Sequence, residues 1–145
     1  MKILLLGYGN PSRRDDALGP SLADAIAEMG LDGVTTDSDY QLNIEYALDI
    51  GGYDLVIFAD ASVEAEEPFE FSRLEPSREI SFSSHSVSAE SVLGLCDEIG
   101  VEKPEAWQLA IRGYSFDFGD GLTPKASENL DKAVRFIVDL IRERS

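Results

Sequence analysis

The sequence contains one cysteine, Cys96, and one histidine, His85. A lone cysteine excludes an intrachain disulfide and a cysteine-built metal cage. Basic residues are scarce: 12 Lys and Arg stand against 28 Asp and Glu, a formal net charge of −16. Gripping nucleic acid needs a basic surface that displaces counterions, and anionic membranes attract polybasic segments, so neither is expected as a partner. No stretch approaches the ~18 consecutive apolar residues of a spanning helix. The opening run Ile3-Leu4-Leu5-Leu6 is too short for a signal-peptide core and is expected to be a buried strand of a cytoplasmic protein. Phosphate-cradling glycine patterns are also missing. Gly7-Tyr8-Gly9 is followed by Ser12 where a dinucleotide fingerprint has its third glycine, and no Gly-Lys-Ser/Thr occurs. Ser12 and Ser62 lack the glycines of a nucleophile elbow.

What is present alternates. Residues 3–6 and 55–59 are continuous apolar runs, as in strands buried on both faces. Leu18, Leu22, Ala23, Ile26 and Met29 recur at helical spacing, predicting a helix over 17–29 that stops at Gly30. A short strand is expected at 34–36, a helix at 42–50, an edge strand at 69–74 and a helix over 84–99 with Val87, Val92, Leu95 and Ile99 inward. A strand follows at 107–111. Thr123-Pro124 supplies an N-cap and a first-turn proline for a last helix ending near Glu143. A chain of 145 residues fits one domain, 1–145. The pattern implies an α/β fold: a single doubly wound, mostly parallel five-stranded sheet flanked by helices.

In such sheets ligands gather at the carboxyl ends of the strands. Four acids stand there: Asp15, Asp16, Asp39 and Asp60, with His85 just before a predicted helix. Asp16 also fits a plain role as a helix-start acid, and His85 one as a helix-start residue. Two carboxylates and an imidazole brought together from three strand ends suit a divalent cation such as nickel or zinc, with room for a further ligand. Cys96 falls on a predicted helix with no nearby base and reads as core packing.

The run Gly7-Tyr8-Gly9-Asn10-Pro11-Ser12-Arg13-Arg14-Asp15-Asp16-Ala17-Leu18-Gly19 resembles the N-terminal signature of the hydrogenase maturation endopeptidases. These enzymes clip the C-terminal extension from the large subunit of nickel–iron hydrogenases. The likeness recurs in the same order at Val56-Ile57-Phe58-Ala59-Asp60-Ala61, Ser84-His85-Ser86 and Gly121-Leu122-Thr123-Pro124. By that match the family's metal-contacting trio falls on Asp16, Asp60 and His85, with Asp16 where many members carry Glu. The stretch Asp39-Tyr40-Gln41-Leu42-Asn43-Ile44-Glu45 stands where members often have Asp-Gly-Gly-Thr. It is similar to a Gln-Leu-x-x-Glu variant among proteases that serve soluble, cofactor-reducing hydrogenases.

The resemblance implies a monomeric peptidase whose partner is a hydrogenase large-subunit precursor. Its nickel is supplied by that precursor, and the catalytic set is Asp16, Asp39, Asp60 and His85. Nickel, or a carboxylate such as Asp39, would activate the water. Two other readings stay open. One is a receiver-like signalling module phosphorylated at Asp60, with an acidic pair holding Mg²⁺. Against it, Asp15 and Asp16 lie nine and ten residues past Leu6, and Arg112-Gly113 stands where receivers carry a lysine. The other is a non-catalytic chaperone of the same partner.

Overall fold

A computed structural model describes residues 1–76 and 88–144. Among these residues five strands form one sheet: β1 (Ile3–Tyr8), β2 (Val34–Asp39), β3 (Leu55–Ser62), β4 (Phe69–Arg73) and β5 (Glu105–Arg112). Their order is β2-β1-β3-β5-β4; every pairing is parallel except that of β4 with β5. Among the described residues four α-helices accompany them: α1 (Leu18–Met29), α2 (Tyr46–Asp49), α3 (Ala89–Ile99) and α4 (Pro124–Arg144). The α/β sheet is thus the one the alternation predicts.

The strand period of two divides the core into two layers. Ile3, Leu5, Leu55, Ile57, Leu109 and Ile111 pack with Leu18, Leu22 and Ile26 of α1 and Ile137 and Ile141 of α4. Leu4, Leu6, Val56, Phe58 and Ala106 pack on the other face with Tyr46 and Ala47 of α2 and Val92, Leu93 and Cys96 of α3. Cys96 is fully buried, and its thiol donates to the Ala47 carbonyl at 3.2 Å, so its expected packing role holds. Thr123 caps α4, its hydroxyl oxygen accepting from the Ala126 N–H at 3.4 Å.

Several boundaries differ from expectation, each for a local reason. β2 runs three residues past Thr36, because Asp37, Ser38 and Asp39 pair with Leu6, Gly7 and Tyr8. This edge strand is polar and half to fully exposed, so hydrophobic patterning gives no sign of its end. The helix expected at 42–50 is a single turn, α2. The Asn43 side chain accepts from the Glu45 N–H at 3.1 Å, a local turn that competes with helix. Ser88 has an extended backbone and caps Ser91, so α3 starts at Ala89; residues 84–87 of the expected helix, Val87 among them, lie outside the described residues. Its buried positions include Leu93 and Cys96, while Ile99 is exposed. Met29, expected inside, is also exposed. β3 continues to Ser62, which puts Asp60 within the strand, opposite Ala110, and not after it.

Candidate active site

The crevice between the carboxyl ends of β1 and β3 is built by close backbone approach. A Cβ on Gly7 would collide with the Gly19 carbonyl, and a Cβ on Gly19 with the Ala59 and Tyr8 backbones. Two glycines therefore let the start of α1 sit directly against the sheet. Gly9 has φ +147°, and a Cβ there would strike the Asp16 carbonyl. The chain then passes through a 3-10 turn, Arg14–Ala17, that carries Asp15 and Asp16.

The two adjacent acids do different work. Asp15 is fully buried. Its carboxylate accepts from the backbone N–H groups of Tyr114 (2.7 Å), Ser115 (3.1 Å) and Thr123 (2.8 Å), and from the Thr123 hydroxyl (2.8 Å). Burial would push its pKa up, but these four donors outweigh it and hold the carboxyl below the usual range. Asp15, a sequence candidate for the site, is instead the tie that fastens the first loop to the segment after β5. Backbone bonds from Arg14 to Gly119 (3.1 Å) and from Gly119 to Ser12 (2.9 Å) reinforce that tie. Asp16 is half-buried, and its Oδ2 accepts from the Asn10 N–H at 2.8 Å. That bond closes the loop and holds the carboxylate at the crevice.

Asp60 enters from β3, on the sheet face that carries α2 and α3. Gln108 of β5 donates from Nε2 to Asp60 Oδ1 at 3.2 Å and to the Tyr8 hydroxyl oxygen at 3.1 Å. The Tyr8 hydroxyl, at the end of β1, donates to Gln108 Oε1 at 3.3 Å and faces the Asp60 carboxylate. Burial raises the Asp60 pKa to about 7; the Tyr8 hydrogen bond opposes this, and the Asp16 charge adds to it. The Tyr8 phenol is pushed well above its ordinary value by burial, then by the Asp60 charge. Glu90, in the first turn of α3, adds negative charge felt by both.

Asp39 ends β2 directly opposite Tyr8. Its Oδ2 accepts from the Tyr46 hydroxyl at 2.8 Å and its Oδ1 from the Tyr40 N–H at 2.7 Å. Burial, followed by the Asp39 hydrogen bond, raises the Tyr46 phenol. A cleft of about 220 Å³ opens beside Asp39, walled by Gly9, Pro11, Pro20, Ser38 and Tyr40.

Of the expected residues, the fold therefore brings Asp16 and Asp60 into electrostatic contact and sets Asp39 on the other side of Tyr8. His85 lies outside the described residues. Among the described residues no group of three or more His, Cys, Asp or Glu side chains is arranged to hold a metal ion. The two carboxylates have the oxygen chemistry a divalent cation accepts, and as a pair they leave its coordination incomplete. Tyr8, Gln108 and Glu90 were not singled out by sequence. Gln108 interrupts an apolar strand, and that polar break was the available signal; Tyr8 and Glu90 gave none.

No protein-family model matches the chain, and no curated protein sequence does. Solved structures do. The hydrogenase maturating endopeptidase HybD from E. coli is 23% identical, covering 100% of this chain and 94% of its own, with a TM-score of 0.80. The [NiFe] hydrogenase maturation protease HycI from Thermococcus kodakarensis KOD1 is 21% identical over 97% of this chain and 92% of its own, with a TM-score of 0.74. The hydrogenase 2 maturation peptidase from Thaumarchaeota archaeon SCGC_AB-539-E09 is 23% identical over 97% and 98%, with a TM-score of 0.71. The chain shares its fold with these proteins from end to end. No helix among the described residues is long and apolar enough to cross a membrane.

Proposed function

We propose that the protein is an endopeptidase that removes the C-terminal extension of a nickel-loaded nickel–iron hydrogenase large-subunit precursor. It would act as a monomer in the cytoplasm. The observation that carries this reading is the pair Asp16 and Asp60. Two carboxylates from separate elements face one crevice, partly shielded from water, and the Asp16 charge raises the cost of charging Asp60. A cation relieves that repulsion. The nickel of the precursor is the cation proposed, with His85 as the third contact; it belongs to the substrate and is read, not owned. The proteins whose fold the chain shares are named as hydrogenase maturation proteases, which supports the same reaction.

The chain's own contribution to the cut is then positional and electrostatic. Asp16 and Asp60 dock the cation and with it the adjoining peptide. Asp39, beside the cleft, is the carboxylate available to take a proton from the attacking water if the cation does not activate it. The net charge of −16 suits a basic C-terminal segment. The phospho-acceptor reading is disfavoured because Asp15 is consumed by four hydrogen-bond donors, so no acidic pair remains for Mg²⁺. The test is incubation with nickel-loaded precursor, followed by the intact mass of the large subunit. Loss of the extension with the wild type, and none with Asp60→Ala, is the expected result. An uncut precursor after prolonged incubation with folded wild type would overturn the reading.

A further inference from the structure

On the sheet face of α2 and α3, the central strands contribute Leu4, Leu6, Val56, Phe58 and Ala106, all buried. Gln108 follows Ala106 on that same face. A half-buried primary amide there gains nothing from packing and loses stability unless its N–H groups find acceptors. Both do. One reaches Asp60 Oδ1 at 3.2 Å and the other the Tyr8 hydroxyl oxygen at 3.1 Å. The Tyr8 hydroxyl has two acceptors in reach, Gln108 Oε1, to which it donates at 3.3 Å, and the Asp60 carboxylate. The Gln108 amide, held by Tyr8 at both its nitrogen and its oxygen, thus presents an N–H to Asp60, and side chains from the two strands that flank β3 meet at one carboxylate. A carboxylate has about four acceptor positions, so a donor held in place in this way sets its orientation and leaves capacity for a cation.

We infer that Tyr8 and Gln108 are positioning residues, holding the Asp60 carboxylate in the orientation in which it takes up a divalent cation and so setting the cation affinity of the site. The inference rests on the reading of Asp60 as a cation contact. Groups that hydrogen-bond a ligating side chain typically govern metal affinity by about 10–100-fold. Tyr8 and Gln108 stand on the two strands that flank β3, on regular elements of the sheet where such control is most effective.

The experiment is calorimetric titration of the full-length protein with Ni²⁺ alone. It compares wild type, Tyr8→Phe, Gln108→Leu, Asp60→Ala, and the Gln108→Leu/Asp60→Ala double variant. The single changes at 8 and 108 should each weaken binding about tenfold or more. In the Asp60→Ala background, Gln108→Leu should weaken it no further, because its effect passes through Asp60. Tyr8→Phe removes one oxygen atom and keeps the ring, so it carries the test should Gln108→Leu fail to fold. Wild-type affinity in both single variants, an equal loss with Asp60 absent, or no Ni²⁺ bound by the wild type would each overturn the inference. A wild type that binds Ni²⁺ more tightly than the variants but leaves the precursor uncut would sink the protease reading and uphold this one.

Discussion

Asp15 and Thr123, 108 residues apart, are joined by two hydrogen bonds of 2.8 Å, one from the Thr123 backbone N–H and one from its hydroxyl. The bond pair fastens the loop after β1 to the cap of α4, and so fixes the segment that carries Asp16. Asp15→Ala would leave the half-buried backbone donors of Tyr114, Ser115 and Thr123 without their acceptor. A loss on the order of 3 kcal/mol is expected, read by urea unfolding. A wild-type midpoint would show that the tie is dispensable.

The Asp15 pKa is depressed on folding, so its contribution is present above the unfolded pKa and is lost as pH falls through the folded value. Asp60 has the opposite sign. Its folded pKa, about 7, lies above the ordinary value of 3.8. Between those two values the unfolded chain has released a proton that the folded chain keeps, so Asp60 makes stability fall as pH rises through that window. Asp60→Asn should therefore melt higher than wild type at pH 8, by on the order of 5 °C. At pH 3 the advantage should vanish. Thermal melts across that range decide it; no pH-dependent difference would mean that the Asp60 carboxyl is not perturbed.

Asp16→Ala and His85→Ala should abolish processing and leave the fold standing. Asp16 makes one backbone hydrogen bond from a half-buried position, worth about 1 kcal/mol. Cleavage assays beside thermal melts separate the two outcomes. Full activity in either variant would remove that residue from the cation-reading set, and a collapsed melt would make it structural.

Gly19→Ala should be among the most damaging single-methyl additions in the chain. The added carbon would meet the Ala59 carbonyl and the Tyr8 backbone, at 2.6 and 2.8 Å from Tyr8 O and N, and backbone atoms within a sheet cannot step aside. A fall in melting temperature of on the order of 10 °C, or insoluble protein, is expected. A variant as stable as wild type would mean that α1 can lift off the sheet freely.

The sheet and its helices were legible because strand runs and helical stripes are dictated by burial: Leu4 and Leu5 face opposite layers, and Ile137 and Ile141 follow a turn apart. Asp16 and Asp60 stood out as candidates because ligands gather toward the carboxyl ends of strands, and the fold brings their charges near each other. What was hidden depends on contacts distant in sequence. Asp15 and Asp16 look alike in sequence, yet donors from residues 114, 115 and 123 decide that one is structural. Gln108 acquires meaning only when β5 is laid beside β3. The reach of β2 to Asp39 is set by its pairing with Tyr8, which no local pattern encodes.

The central claim is that the cut is licensed by nickel in the partner, and one comparison tests it. Metal-stripped protein is mixed with nickel-loaded precursor and, separately, with nickel-free precursor, and the large subunit is weighed by mass spectrometry. The account predicts that only the nickel-loaded chain loses its extension, because the cation supplies the binding difference between the two substrates. Equal cleavage of both precursors, or cleavage only after zinc is returned to the protein, would contradict it.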